Sequence, residues 1–229
     1  MGGVVRVAVV VPVYGNAATL RPLAERLAAA LTGRDWRLRL VIDASPDDSA
    51  AVAAALAAGD PRISVTRLDV NVGQHAALAR GLADVPAAEA WVCLDADLQD
   101  PPEAVPLLLD RLAQGDVAAV FAGRRGAYES WLRRRTGDLH RLLAARLTGL
   151  PPDAGAFLAM GAGVRRAVLT AMGEEGAPSV VLAVARAGEP VASVPVARDR
   201  RPEGRSAWTG RARLRQSVRS LAWAARRRR

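Results

Sequence analysis

Ala90-Trp-Val-Cys-Leu-Asp95-Ala-Asp97-Leu-Gln99-Asp100-Pro101-Pro102-Glu103 is the stretch around which the rest of the sequence is organised. It reads as a short apolar strand, Trp91 to Leu94, that carries two carboxylates one residue apart into a turn closed by two prolines. Side chains alternate along a strand, so Asp95 and Asp97 are expected to point the same way where the strand ends. Two hard oxygen ligands on one side of a sheet edge suit Mg²⁺ or Mn²⁺ holding a diphosphate. The competing reading is a pair of solvated aspartates capping a helix that starts after Pro101, and for an isolated Asp-x-Asp that is the commoner outcome. The flanking sequence has to decide.

Upstream, Val4 to Val13 is an apolar stretch, unbroken from Val7 on, stopped by the turn formers Gly15 and Asn16, as expected of a central parallel strand buried on both faces. Ala17 to Leu31 follows with Leu20, Leu23, Leu27 and Leu31 at helical spacing, and Leu38 to Ile42 is a second strand. This β-α-β start predicts an α/β fold. The second strand ends in Asp43-Ala-Ser45-Pro-Asp47-Asp48-Ser49, which suits either a base and ribose or the cap of an Ala-rich helix from Ala50 to Ala58. Ile63 to Leu68 is a third strand leading into Asn71-Val-Gly73-Gln74-His75, a glycine turn into a helix N-terminus where free N–H groups favour phosphate. His75 has no second ligand at metal spacing and reads as a packing or polar contact. Three βα units thus deliver their loops to the edge where open α/β sheets bind ligands.

Taken in succession, Val11-Pro12-Val13-Tyr14, Asp43-Ala-Ser45-Pro-Asp47-Asp48-Ser49, Asn71-Val-Gly73-Gln74-His75 and Asp95-Ala-Asp97-Leu-Gln99-Asp100-Pro-Pro-Glu103 resemble family 2 glycosyltransferases. Within them the likeness is to the polyprenyl-phosphate glycosyltransferases, the dolichyl-phosphate mannose synthases and bacterial undecaprenyl-phosphate sugar transferases. The resemblance implies a GT-A fold: a Rossmann-like, mostly parallel nucleotide-binding sheet with helices on both faces. The expected organisation is a GT-A domain over residues 1–205, and the residue pattern beyond it, over 206–229, reads as a basic amphipathic helix and polyarginine tail.

The resemblance also implies roles. Pro12, Tyr14 and Asp43 would surround the nucleotide base and ribose, with Gly73 and Gln74 also on the donor. Asp95, Asp97 and Gln99 would hold Mg²⁺ or Mn²⁺ on the diphosphate of a UDP- or GDP-sugar. Arg124, expected to follow a strand from Val117 to Phe121, would face phosphate. Asp153 stands in a segment that lies beside the acceptor in relatives. Arg198, Arg201 and Ser206 belong to a strand and loop that closes on the donor diphosphate. The chain departs from the pattern at Ile42 and Ala44, where relatives usually have an acidic or Asn residue and Gly, at Asn16 in place of Glu, and at Leu158 in place of Arg.

Elementary chemistry distinguishes the acceptors. Breaking a sugar–diphosphate bond leaves charge on the diphosphate, which a divalent ion and arginines stabilise. A phosphate monoester has a second pKa of about 6, so it is already a nucleophile at neutral pH and needs no base. A hydroxyl acceptor needs a carboxylate to take its proton, and Asp153 is the candidate, against a purely structural role. The resemblance implies inversion at the anomeric carbon. The expectation is therefore a metal-dependent inverting transferase acting on a polyprenyl phosphate, the alternatives being a soluble or peptide hydroxyl acceptor, or a relative that binds nucleotide sugar without turning it over.

Bulk properties add the setting. The 229 residues are 51% apolar, enough to bury a core, and the one cysteine, Cys93, permits no internal disulfide. Neither a signal peptide nor a run long enough to cross a bilayer is visible. Every basic residue apart from the histidines is Arg; Arg198 to Arg229 holds twelve of them against Asp199 and Glu203, a net of +10, so that the preceding residues net −1 of the chain's +9. Trp131 to Leu150 and the segment with Leu214, Val218, Leu221, Ala222 and Ala225 on one stripe combine Arg with Trp131, Trp208 and Trp223, the pattern of helices lying on anionic lipid or of core-facing helices with a charged outer face. The expected location is cytoplasmic, peripheral at the inner face of the membrane. A separate membrane protein or a second copy of the chain is left open as a partner, and no nucleic-acid-binding motif accompanies the basic tail.

Overall fold

The computed structural model describes residues 7–125, 146–198, 220 and 222–225. One seven-stranded sheet runs through it, in the order β3-β2-β1-β4-β6-β5-β7. β1 (Val7–Val13) is buried along its whole length, as its lack of polar side chains requires. It pairs in parallel with β2 (Trp36–Asp43) on one side and β4 (Ala90–Cys93) on the other. β3 (Ile63–Leu68) extends the parallel set beyond β2. β6 (Leu158–Met160) is antiparallel to both its neighbours, β4 and β5 (Ala119–Arg125), while β7 (Val191–Ala197) is again parallel to β5.

Alternation along β1 splits the core into two layers. Val7, Val9, Val11 and Val13 face the cluster that holds Leu20, Leu23 and Leu27 of α1 (Ala17–Ala30), Ala53 of α2 (Ser49–Gly59) and Leu108 of α4 (Val105–Leu112). Ala8 and Val10 face the cluster built from α3 (Gln74–Asp84), α5 (Ala162–Gly173) and α6 (Val180–Val184). Helices on both faces of a mostly parallel sheet are the expected α/β architecture.

The chain proceeds outward from β1 to β2 and β3, then returns to place β4 on the other side of β1. The crevice between β1 and β4 is therefore the point where strand order reverses, the usual ligand position in such sheets.

Three sequence expectations need correction. β4 ends at Cys93, so Asp95 and Asp97 lie in the turn beyond the strand and strand alternation does not orient them. β5 continues to Arg125 because β7 pairs with it that far, so Gly123 and Arg124 lie inside the strand, opposite Pro195 and Val196. Trp223 is no lipid anchor: it is 6% exposed and belongs to the second core cluster. Its indole Nε1 donates to the Glu175 carbonyl at 3.1 Å, and the Arg186 guanidinium lies 4.6 Å over its ring. Ala222 and Ala225 of the expected stripe are exposed; Leu214, Val218 and Leu221, with Trp131 and Trp208, lie outside the described residues.

Candidate active site at the β1–β4 crevice

The turn after β4 is gripped at three points. Asp95 accepts a 2.6 Å hydrogen bond from the Gln74 side-chain amide at the start of α3. The Ala96 carbonyl accepts one of 2.6 Å from the Thr19 hydroxyl in the first turn of α1. Asp100, 2% exposed, accepts two hydrogen bonds from Arg198, at 2.6 Å from Nε and 3.2 Å from Nη2, just past β7. Within the turn the Gln99 amide donates to Asp97 Oδ1 at 3.1 Å, and Leu98 takes a left-handed φ of 59°. A bulky residue in that region is strained and persists where its surroundings over-determine it.

This geometry removes the helix-capping reading of the two aspartates. Neither the 3₁₀ turn Pro102–Ala104 nor α4 receives a side-chain cap. The donor set, two carboxylates in one turn, fits a divalent cation of the Mg²⁺ type, and the adjacent N-terminus of α3 suits the anion such an ion would hold. Among the described residues no group of three or more His, Cys, Asp or Glu side chains is placed to hold a metal, so further oxygens would come from a bound phosphate and water.

The neighbouring loops are scaffold as much as site. Asp43, expected on base and ribose, is 2% exposed, and its two oxygens accept the Val72 and Gly73 amides at 2.7 and 2.9 Å. It thereby fixes the turn whose Gly73, at φ 86°, opens α3. Asp47 does the same for α1, accepting the Ala17 amide at 3.0 Å and the Ser45 hydroxyl at 2.6 Å, while Ser45 and Ser49 hydroxyls accept the Gly15 and Asn16 amides. Burial alone would raise the Asp47 carboxyl, but hydrogen bonds from Ser45, Ser49 and Ala17 outweigh it and hold the pKa at about 2. Ala44, where relatives have Gly, keeps a left-handed φ of 48°. Pro12 is buried within β1 opposite Val41, and Tyr14 is 46% exposed at the mouth of the crevice.

Two groups next to the turn are chemically quiet. Burial, with the nearby Asp95 charge, pushes the Cys93 thiol up to about 12, so it stays protonated. Burial pulls His75 down to about 4, leaving a neutral imidazole at physiological pH.

Asp153, in the loop that leads into β6, lies at the same sheet edge, against β5. The Ser193 hydroxyl on β7 donates to its Oδ2 at 3.0 Å, and the carboxylate occupies the place that a Cβ on Gly123 of β5 would need. β5 stands two strands from β4, about 10 Å across the sheet. The fold therefore brings Asp95, Asp97, Gln99, Gln74, Gly73, Asp43 and Tyr14 to the strand ends around one crevice, with Asp153 at the same sheet edge but against β5. Arg198 reaches the same turn through Asp100. Arg201 and Ser206, and the side chain of Arg124, lie outside the described residues. Leu158, fully buried in β6, is a core residue. Thr19 and Ser193 were not singled out from the sequence; their partners lie 77 and 40 positions away, and no local pattern marks them.

Comparison with known proteins decides the family. The model of "Glycosyl transferase family 2" matches residues 8–172. The chain belongs to glycosyl transferase family 2. Curated relatives in this family include the undecaprenyl-phosphate 4-deoxy-4-formamido-L-arabinose transferases of Sodalis glossinidius, 40% identical over 148 residues, and of an Enterobacter species, 38% identical over 149. Each alignment covers 63% of this chain and 44% of the relative, so the chain spans less than half the length of these curated relatives. Among solved structures, a glucosyl-3-phosphoglycerate synthase from Mycobacterium tuberculosis, crystallised with Mn²⁺, UDP and phosphoglyceric acid, matches with a TM-score of 0.68 at 22% identity, covering 97% of this chain and 78% of that one. Mannosyl-3-phosphoglycerate synthase from Rubrobacter xylanophilus matches with a TM-score of 0.67 at 18% identity, covering 97% and 74%. These two establish the glycosyltransferase fold of the family 2 chain.

Proposed function

We propose that this family 2 chain transfers a sugar, with inversion, from a nucleoside diphosphate sugar to a polyprenyl phosphate. The observation that carries this reading is the gripped Asp95–Asp97 turn at the β1–β4 crevice of a chain so similar to undecaprenyl-phosphate sugar transferases. Asp95 and Asp97, with Gln99, would hold a divalent ion, and Mn²⁺ bound with UDP in a protein of the same fold supports that choice. The ion when bound supplies positive charge to the departing diphosphate.

The chain's own residues do the rest. Gln74 orients Asp95 through its amide, and the free N–H groups at the start of α3 face the anion. Tyr14, exposed at the mouth, is available to the base. Arg201 and Ser206 complete the donor side in this reading, and Arg124 the acceptor side. Asp153 is engaged by the Ser193 hydroxyl and packed against Gly123, which favours a structural role. A phosphate monoester acceptor fits that arrangement, because it needs no base.

The acceptor sets the location: a polyprenyl phosphate sits in a membrane, and the chain would work from the cytoplasmic surface. Among the described residues no helix is long and apolar enough to cross a bilayer. The Arg-rich segment beyond Arg198 would meet anionic lipid.

The test is transfer from UDP- and GDP-sugars to undecaprenyl phosphate in anionic vesicles with Mn²⁺. Asp97→Asn is expected to lower kcat by about 100-fold or more, the size of losing a main electrostatic contact, and Asp153→Asn by less than about tenfold. Equal losses from the two substitutions would count against the phosphate acceptor, and no transfer from any donor would remove the enzymatic reading.

A further inference from the structure

We propose that Arg198 is a positioning residue that locks the Asp95–Asp100 turn through Asp100, and is not a ligand of the donor diphosphate. This deepens the glycosyl-transfer reading, and its consequence for donor binding rests on that reading.

Arg198 follows directly on β7, the sheet's edge strand, and Asp100 closes the turn that follows β4, three strands away in the sheet. The guanidinium reaches across with Nε and Nη2 to the two carboxylate oxygens, at 2.6 and 3.2 Å. Asp100 has a side-chain exposure of 3% and Arg198 of 21%. A carboxylate sealed to that degree is tolerable only while paired, and a bidentate fork is the geometry that holds it best. An arginine drawn onto a diphosphate would leave Asp100 as an unpaired buried charge, so movement to the donor is opposed by the pair itself.

The turn needs such a lock. Leu98 sits at φ 59°, and the other two grips, Gln74 on Asp95 and Thr19 on the Ala96 carbonyl, act on its first half. Asp100 is the fixed point of its second half, which carries Gln99, and the Gln99 amide reaches back across Leu98 to hold Asp97 Oδ1. Without it the left-handed residue lies between one held end and one loose end. The predicted effect of losing the pair is a mobile Asp97, and hence weaker binding of any ligand that Asp97 helps to hold.

The experiment uses three variants, Arg198→Met, Asp100→Asn and the double substitution. Two readouts are taken: amide exchange over residues 95–100 in the ligand-free protein, and binding of UDP and GDP with Mn²⁺. Each single substitution is expected to speed exchange in the turn and weaken nucleotide binding by about tenfold, and the double to be no worse than either single, since both remove the same pair. Two results would overturn the proposal. One is weakened binding in Arg198→Met beside unchanged or tighter binding in Asp100→Asn, the signature of an arginine that touches the diphosphate and is held back by Asp100. The other is exchange in the turn that neither substitution alters. If the unaltered protein binds neither nucleotide, the donor reading fails, while the exchange measurement still decides the role of the pair. Should Arg198→Met not fold, Arg198→Lys keeps the charge, loses the fork and carries the same comparison.

Discussion

His75 shows how one residue of the site bears on the stability of the whole. Its Nδ1 is sealed from solvent without a hydrogen-bond partner, and burial lowers its pKa from 6.5 to about 4. Between those values the unfolded chain takes up a proton that the folded ring refuses, so stability is complete above pH about 6.5 and falls as the pH drops toward about 4, by at most about 3 kcal/mol. Urea midpoints of the native protein should therefore decline through this window, and His75→Leu should flatten the decline. Parallel declines in both proteins would assign the effect to another group. Asp47 does not confuse the measurement: its carboxyl, held at about 2, contributes above its ordinary 3.8 and is lost only as the pH falls from there. Single residues were legible in the sequence where their role is carried by type and spacing, as for Asp95, Asp97 and Gly73. They were not where the role is an assignment of partners. Asp43 is an acidic residue at a strand end either way; that it serves two backbone amides instead of a ligand depends on a turn 29 and 30 positions later.

Helix α3 lies so close to the sheet that one of its residues must be glycine. A Cβ on Gly81 would meet the Val41 side chain at 2.7 Å and press still harder on Val10, both on β strands fixed by pairing. Overpacking of this kind costs about 1–3 kcal/mol, against a gain of up to about 1 kcal/mol from helix propensity. Gly163, in the first turn of α5, meets nothing within 4 Å. The same Gly→Ala change should thus destabilise at position 81 by about 1–2 kcal/mol and stabilise at 163 by about 0.5 kcal/mol, read by urea denaturation of the two variants. Equal shifts would mean that α3 can retreat from the sheet. The elements themselves were largely legible, because burial on both faces leaves β1 an unbroken apolar run and one-sided packing leaves α1 its leucines at helical spacing. The errors fall where tertiary contacts set the ends. β5 outlasts its apolar stretch because β7 continues to pair with it, and β4 stops short of the acidic turn because Asp95 to Asp100 answer to α1, α3 and the residue after β7.

Charge is divided along the whole chain more sharply than any single element shows: a nearly neutral body, and a stretch from Arg198 onward that nets +10. The docking of Trp223 determines how that division can be tested. Because the indole is held between Arg186 and the Glu175 carbonyl in the second core cluster, removing everything from residue 206 would take part of the core with it. Trp223→Ala alone is worth about 3 kcal/mol by the usual cost of deleting a buried aromatic side chain. Loss of vesicle binding after such a truncation would confound misfolding with lost charge. Replacing Arg226 to Arg229 with glutamine avoids this, since Trp223 and Ala224 stay in place. A basic residue near an anionic surface contributes about 1 kcal/mol, so the four together should change affinity for phosphatidylserine-containing vesicles by at least about tenfold at moderate salt. The thermal midpoint should not move, and the difference between the two proteins should shrink as salt is raised, because screening acts on exposed charge. Flotation of both proteins to equal extents would assign any membrane affinity to other parts of the surface, and an equal absence of flotation would remove the peripheral-membrane reading while leaving donor chemistry at the β1–β4 crevice untouched.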